Sequence, residues 1–226
     1  MSRSRTLPSR QRSQVLRAYR SRGRTNRNIW LVYSIKTNRD WILASDRHLV
    51  HWVLYLETNS DVRSFEIEPA DDLPDRSAAR IGGADAMAIL ADGEREYHHL
   101  LFSAASDDLS ARDIDEVGIA PAPSLRNFSE ADLYPRGAEA MRWLKVIGYC
   151  AAIRDERQSE ATTAAITIMS ALGQGSVLDV ITQMPDFDVQ IALGVVSRMA
   201  VLGDIALDLS SSGFTSASHW IWRRTQ

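Results

Sequence analysis

The chain has 226 residues, of which 45% are hydrophobic and 24% charged, typical of a soluble globular protein with one or two domains. No apolar run reaches the roughly 18 residues of a membrane-spanning helix, and the basic N-terminus lacks the apolar stretch of a secretory signal. A single cysteine, Cys150, excludes an intramolecular disulfide, so we expect a reducing, cytoplasmic compartment.

Charge is distributed unevenly along the chain. Residues 1–27 contain nine arginines and no acidic residue, whereas residues 66–132 contain sixteen acidic residues and five arginines. The net charge of −3 therefore hides a basic arm and an acidic body. An arginine-rich arm is suited to contacts with phosphate groups. The alternative is a solubilising tail that folds back on the acidic body.

The first half of the chain predicts a mixed α/β unit. Residues 29–34 are β-branched and aromatic and predict a buried strand, and residues 36–40 predict a turn. Residues 45–57 predict a helix capped by Ser45 or Asp46. The apolar residues of this helix recur at helical spacing and should be buried: Leu49, Trp52, Val53 and Leu56.

Three strands and an irregular segment are predicted next. Residues 62–69 alternate like a strand. Two short apolar runs, 85–90 and 96–102, flank an Asp-Gly pair at 92–93, which is a strong hairpin signal. The acidic residues 103–132 predict a linker or an irregular lid.

The second half predicts helices followed by a hairpin. Helices are expected at 138–154, 162–172, 176–184 and 186–202, and strands at 205–209 and 219–222. The first of these helices should bury Met141, Leu144, Ile147 and Tyr149. Ser176 should cap the third, and Asp186 should cap the fourth, which ends at Gly203. This order of elements is typical of a winged helix-turn-helix domain.

Sequence-specific reading of DNA by this domain would be weak. The last predicted helix offers only Gln190, Ser197 and Arg198 to a major groove. Arg223 and Arg224, at the end of the predicted wing, are expected to contact phosphates. The alternative is a protein-binding or dimerisation module.

The histidines and the cysteine have structural interpretations. His98 and His99 are adjacent on a predicted strand, so they point to opposite faces and cannot ligate one metal. His48 and His51 lie three residues apart on a helix, but carboxylates at a matching spacing are lacking. Cys150 lies on an apolar helix face and should be buried.

A family-like pattern runs from the first turn to the hairpin. The matching positions are Ser34 and Lys36 in the turn, Ser45 at the start of the helix, Leu56-Glu57 at its end, and Asp61-Val62 and Pro69 in the strand. Asp85 then stands where the family has the aspartate of a Pro-Asp pair, with Ala84 in place of proline. Over residues 25–105 the chain resembles TnsA-like transposon endonucleases, the restriction-enzyme-like subunits of heteromeric transposases.

The resemblance implies a fold that cleaves DNA with Mg²⁺. In that family the metal is held by a helix glutamate, a strand aspartate and a glutamate or glutamine on the next strand, with a lysine two residues later. Here only Asp85 remains. His48 or Leu49 replaces the helix glutamate, His98 or His99 replaces the second-strand carboxylate, and Leu100 or Leu101 replaces the lysine. The resemblance therefore implies a nuclease fold that has lost its nuclease activity.

We predict a DNA-binding component of a transposase-type or mobile-element complex. Its fold is expected to be α/β, with a restriction-endonuclease-like mixed sheet flanked by helices and a helical winged-helix domain. The parts are a basic arm (1–28), a nuclease-fold domain (29–105), an acidic linker (106–135) and a winged-helix domain (136–226). DNA contacts are expected from Arg10, Arg12, Arg17, Arg20, Arg22, Arg24, Arg27, Lys36, Arg223 and Arg224.

Two alternatives remain open at this point. The first is an active endonuclease with displaced ligands drawn from Asp46, Asp85, Glu96 or the histidines, the latter holding a softer metal. The second is a protein-binding adaptor without DNA contact. No cofactor is expected unless the nuclease is active, in which case it is Mg²⁺. The expected partners are DNA and a transposase or other mobile-element protein, and no membrane; self-association is left open.

Overall fold

The computed structural model describes residues 28–43, 45–67, 84–101 and 124–223. The first half contains β1 (Trp30–Ser34), β2 (Arg39–Leu43), α1 (Asp46–His51), β3 (Val62–Ile67), β4 (Ala86–Leu90), β5 (Arg95–Leu101) and β6 (Ser124–Ser129). The second half contains α2 (Glu130–Leu133), α3 (Gly137–Ala152), α4 (Ser159–Leu172), β7 (Gln174–Ser176), α5 (Val177–Thr182), α6 (Val189–Leu202), β8 (Ile205–Leu207) and β9 (His219–Trp222).

A four-stranded mixed sheet with the order β3-β4-β5-β6 forms the centre of the first half. Its first three strands pair antiparallel, and β6 pairs parallel to β5. The predicted hairpin is confirmed, and Gly93 takes the positive φ of +92° that its tight turn requires. The expected mixed α/β architecture is therefore confirmed.

Helix α1 packs its apolar stripe into the core. Ser45 caps it, and its hydroxyl accepts a hydrogen bond from the His48 backbone N–H at 3.2 Å. The four residues predicted to be buried, Leu49, Trp52, Val53 and Leu56, are no more than 2% exposed. The helix continues without a break as a π-helix, Trp52–Glu57, which ends where the Thr58 N–H reaches the Val53 carbonyl.

Three strands differ from the sequence-based expectation. The predicted turn at 36–40 runs into β2, which pairs with β1 as a two-stranded sheet. A bulge between Val62 and Ser64 breaks the alternation of β3, so that Val62 and Phe65 are both buried. The end of the segment predicted as a linker, 106–135, forms β6 and α2 instead, because residues 124–129 find a parallel partner in β5. Pro69 lies outside the described residues.

Helix α3 packs most of its predicted apolar residues against the core. Ile147 is buried as expected, but Met141 is 57% exposed. The other buried residues of this helix are Ala140, Val146 and Cys150. The prediction of a buried Cys150 is confirmed, and burial raises the pKa of its thiol far above the ordinary value. Leu144 and Tyr149 are half-buried against the same core, so of the four apolar residues only Met141 lies outside it.

The last elements form a small helical unit with a three-stranded sheet of order β7-β9-β8. The capping of α5 by Ser176 and the end of α6 at Gly203 are confirmed. Asp188, not Asp186, caps α6, and its side chain accepts from the Gln190 N–H at 2.7 Å. The short β7 was not predicted, because it exists only through its pairing with β9, more than forty residues later.

One continuous hydrophobic core joins both halves of the described chain. Helix α3 connects them, because it contacts β1, α1 and the π-helix on one side and α6 on the other. The proposed domain boundaries stay predictions. None of the described helices has the length and apolar character needed to cross a bilayer.

Candidate functional site

Asp85, His48 and His99 lie together at one end of the mixed sheet. Asp85 directly precedes β4, and its Oδ2 accepts a hydrogen bond from the Leu100 N–H at 2.7 Å. The Nδ1 of His99, on β5, lies 4.0 Å from the same oxygen. His48, on α1, is close enough for Asp85 to stabilise its charged form, although burial outweighs this and lowers the pKa of His48. The structure thus brings together Asp85, His48 and His99, which are among the residues that the resemblance aligns with the metal ligands of the family.

The structure also decides between the paired alternatives at this edge. Leu49 is 2% exposed and belongs to the core, so His48 occupies the place expected for the helix carboxylate. His98 is buried on the opposite face of the sheet, so His99 is the residue beside Asp85. The position two residues after His99 is Leu101, which is 38% exposed. An apolar side chain therefore stands where the family resemblance implies a lysine.

Ser45 orients the His48 ring. The Ser45 hydroxyl accepts from the His48 backbone N–H and lies 2.6 Å from His48 Nδ1. The hydroxyl donates to Nδ1 in one tautomer of His48 and accepts from Nδ1–H in the other. With its pKa lowered by burial, His48 is a neutral hydrogen-bond donor at neutral pH. It is not a replacement for a carboxylate.

The donors at this edge do not fit a Mg²⁺ site. Mg²⁺ requires several hard oxygen ligands, and Asp85 supplies the only carboxylate among the three residues brought together here. The two carboxylates considered above as displaced ligands have other partners. Asp46 accepts hydrogen bonds from Asn28 and Trp30. Glu96 contacts His98 and Arg126. Within the described ranges no group of three or more His, Cys, Asp or Glu side chains is arranged to hold a metal ion.

A buried histidine pair lies behind this edge, between α1 and the sheet. His51 Nε2 lies 2.9 Å from His98 Nδ1, and His98 Nε2 lies 2.7 Å from Glu96 Oε1. A carboxylate only accepts, so His98 Nε2–H donates to Glu96 and His51 Nε2–H donates to His98. The Phe128 ring meets both imidazoles at its edge, and Tyr55 stacks on His51.

Sequence reasoning missed this pair. The alternation of β5 predicted that His98 and His99 face opposite sides, which is confirmed, but not that His98 meets a helix residue 47 positions earlier. The helical spacing of His48 and His51 allowed the two rings to share one face of the helix. Instead His48 hydrogen-bonds Ser45 and His51 hydrogen-bonds His98. The one sequence signal for the burial of His51 was its position between the apolar residues Leu49 and Trp52 of this helix.

We expect the protein to lose stability as the pH falls from 7.5 to 5.5. Burial lowers the pKa of His51 and of His98 below the value of about 6.5 in an unfolded chain. The unfolded state therefore takes up protons first, and stability falls as the pH drops through about 6.5. A histidine that stays neutral in the folded protein down to pH 5.5 contributes at most about 1.4 kcal/mol to this loss. Urea unfolding at the two pH values measures it.

His51→Phe and His219→Ala test the source of this acid sensitivity. Phenylalanine fits the aromatic surroundings of His51 and removes one titrating group, so the pH-dependent loss of stability should become smaller. His219 is exposed, and its removal should leave the loss unchanged. Equal unfolding midpoints of the original chain at pH 7.5 and 5.5 would contradict the prediction.

Lys36, a predicted DNA contact, lies in a second buried network. Its Nζ donates to the backbone carbonyls of Leu56 and Asn59, and burial lowers the pKa of Lys36 to about 8. Beside it, the fully buried Glu57 accepts from the Ser34 hydroxyl at 2.7 Å and from the Ile35 N–H at 2.6 Å. Residues that carry the family resemblance thus hold the β1–β2 turn against the end of the π-helix.

The other predicted DNA contacts are placed only in part. Arg223 is exposed, and its backbone N–H donates to the Asp204 carbonyl. The remaining predicted contacts lie outside the described residues: Arg10, Arg12, Arg17, Arg20, Arg22, Arg24, Arg27 and Arg224. DNA contact by any of these residues, and by Lys36, stays a prediction.

Helix α6 presents little to a DNA groove. Of the three residues considered for readout, Ser197 is fully buried, and Arg198 donates to the Arg157 carbonyl and to the Thr162 hydroxyl. Only Gln190 is exposed. A Cβ added at Gly194 would come within 2.7 Å of Ile153, which shows how closely the chain after α3 packs on this helix.

Comparison with models of known protein families finds no match for this chain, and comparison with curated proteins finds none either.

Proposed function

We propose that this protein is a DNA-binding component of a transposase-type or mobile-element complex, built on a TnsA-like nuclease fold without nuclease activity. One observation carries the proposal. At the end of the sheet where the resemblance places a nuclease site, a single carboxylate, Asp85, lies near the imidazoles of His48 and His99, and the residue two positions after His99 is the apolar Leu101. The aspartate of the family pattern is retained as Asp85, but the other oxygen ligands and the lysine that cleavage requires are replaced.

The strand arrangement supports the nuclease-like part of the proposal. A helix packs on one face of a mixed sheet whose last strand, β6, runs parallel to its neighbour. Asp85 precedes the second strand of this sheet, and His99 lies on the third. A restriction-endonuclease-like core accommodates this order.

The element order from α4 to β9 supports a winged-helix unit in the C-terminal half, but one that does not read DNA through α6. Of its candidate readers, Ser197 is fully buried, and Arg198 donates to the Arg157 carbonyl and the Thr162 hydroxyl. Residues 159–223 also contain six acidic residues and only two arginines. A surface of that charge repels a phosphate backbone, so the basic arm has to supply the attraction.

DNA binding by the full chain is tested by titration at several salt concentrations. If about five arginines of the arm contact phosphates, the logarithm of the affinity should fall with the logarithm of the salt concentration at a slope near −4 to −5. Duplexes of unrelated sequence should bind with similar affinity, because the arm contacts only the backbone. Absence of binding at low salt would favour the protein-binding adaptor.

We expect no cleavage of supercoiled plasmid in Mg²⁺ or Mn²⁺. One carboxylate with two imidazoles does not provide the oxygen ligands that these ions need, and Leu101 cannot stabilise charge on a leaving group. A nicking assay with the full chain and with Asp85→Ala measures this. Cleavage above background that disappears in Asp85→Ala would establish the active endonuclease instead.

A further inference from the structure

Strand β6 and helix α2 are held to the sheet by a small hydrophobic cluster of their own. Phe128 is the buried side chain of β6 and Leu133 that of α2, and both pack with Leu100 of β5. This cluster is separate from the main core that joins the two halves of the described chain. Among the described strands β6 pairs only with β5, so it lies at an edge of the mixed sheet. Detachment of β6 and α2 therefore leaves the main core intact, which is the condition for a local opening that costs less than global unfolding.

The buried histidine pair lies directly under this segment. The centroid of the Phe128 ring is 4.8 Å from that of His51 and 5.0 Å from that of His98. Both imidazoles are at most 3% exposed. Because Phe128 covers both rings from β6, detachment of β6 admits water to the two imidazoles in one step.

The pair accepts a further proton only at a cost while β6 is in place. An extra proton on His98 has to occupy Nδ1, where the His51 N–H already points, so the hydrogen bond between the rings must break or reverse. Burial disfavours a charge on either ring, and Arg126 of β6 repels it, so the pKa of both histidines is lowered. Glu96, which accepts from His98 Nε2, favours the charge on His98 but does not outweigh burial.

The other charged and titratable groups near the pair do not change this balance. His48 of α1 adds like-charge repulsion toward His51, and Tyr55 of the π-helix stacks its ring on His51. Ala86 of β4, which pairs with His98, is apolar. The charged groups of α2 and of the turn after it contact other side chains: Glu130 with Arg47, Asp132 with Ser129, and Arg136 with Tyr55 and Glu139.

We propose that β6 and α2 form an acid-responsive segment, which detaches from the sheet when the His51–His98 pair takes up protons and so uncovers the edge of β5. Detachment hydrates both rings and separates the two N–H donors from each other. A histidine in water has a pKa of about 6.5, so the open form takes up protons first as the pH falls from 7.5 to 5.5. The ratio of open to closed form should rise by up to about ten-fold for each of the two rings. This opening is independent of DNA binding and of the proposed function.

Amide hydrogen exchange of the full chain, followed by mass spectrometry and corrected for the intrinsic effect of pH on exchange, measures the opening. Global unfolding exposes the same two rings, so the pH dependence alone does not identify a local event. Low concentrations of urea do, because urea promotes an opening in proportion to the surface that it exposes. We expect residues 124–133 to exchange faster than α6 at both pH values and with a weaker dependence on urea. Their protection should fall by about ten-fold between pH 7.5 and 5.5.

Two variants separate the histidine pair from other contacts of the segment. His51→Phe removes one titrating ring and keeps an aromatic side chain in its place, so the fall in protection with pH should become smaller. Glu130→Gln removes the ion pair with Arg47, in which both side chains are at least 40% exposed. It should increase opening by less than about five-fold at both pH values and leave the effect of pH unchanged.

Residues 124–133 that show the same protection and the same urea dependence as α6 overturn the inference, because the segment then opens only with the whole protein. Equal protection of this segment at the two pH values overturns it as well. Both outcomes need only the original chain, so they decide the inference even where His51→Phe does not fold. A fall in protection of the same size in folded His51→Phe as in the original chain also overturns it.

Discussion

Deletion of residues 1–27 is expected to weaken duplex DNA binding by orders of magnitude and to flatten its dependence on salt. The arm contains nine arginines and no acidic residue, whereas residues 66–132 have an excess of eleven negative charges. Each phosphate contact releases condensed counterions and contributes about −0.9 to the slope of log affinity against log salt. The truncated chain loses these phosphate contacts, and its acidic residues still repel the DNA backbone. Fluorescence titration at several salt concentrations measures both effects.

Substitution of Arg223 and Arg224 by alanine provides the comparison for this deletion. The two arginines account for a slope of only about −2, so their loss should have a much smaller effect than loss of the arm. The outcome that would contradict the prediction is a truncated protein that binds as tightly and as salt-sensitively as the full chain. Binding would then have to come from the C-terminal half.

Glu57→Ala is expected to destabilise the protein by about 3–5 kcal/mol. Glu57 is fully buried, and its carboxylate accepts hydrogen bonds from Ser34 and Ile35 beside the ammonium of Lys36. Alanine leaves both donors without their acceptor and leaves Lys36 without its nearby negative charge. Urea unfolding of the variant at neutral pH gives the free-energy change.

Two further variants show whether the charge or the hydrogen bonds dominate this loss. Glu66→Ala removes an ion pair with Arg39 in which both side chains are more than half exposed, and it should cost less than about 1 kcal/mol. Lys36→Met combined with Glu57→Leu removes the half-buried charge of Lys36 together with the buried charge of Glu57, and should recover part of the stability lost in Glu57→Ala. A cost for Glu57→Ala as small as that of Glu66→Ala would show that the network does not hold the turn.

The family resemblance and the stability of the fold depend on some of the same residues. Ser34, Lys36 and Glu57 belong to the pattern that carries the family resemblance, and Lys36 was also predicted as a DNA contact. In the structure they form one buried polar network around the β1–β2 turn. The pattern therefore predicted which residues matter but not their role, because burial depends on what packs over them.

Local pattern was enough to predict several elements of this protein. The stripe of α1, the Asp-Gly hairpin and the end of α6 at Gly203 depend on spacing and capping within a few residues, and all three are confirmed. The opposite orientations of His98 and His99 follow from the twofold repeat of a strand in the same way. These features need no distant partner to exist.

Tertiary structure determined which parts of the chain that are distant in sequence pair with or bury one another. Strands β6 and β7 form because β5 and β9 offer them hydrogen-bonding edges. His51 is buried because His98 and aromatic rings pack against it. Ser197 is not available for contact with DNA because it is fully buried. The sequence by itself determined which residues are apolar, polar or charged and how they repeat. Burial and long-range pairing, which act between residues far apart in the chain, determined which of them remain available for binding.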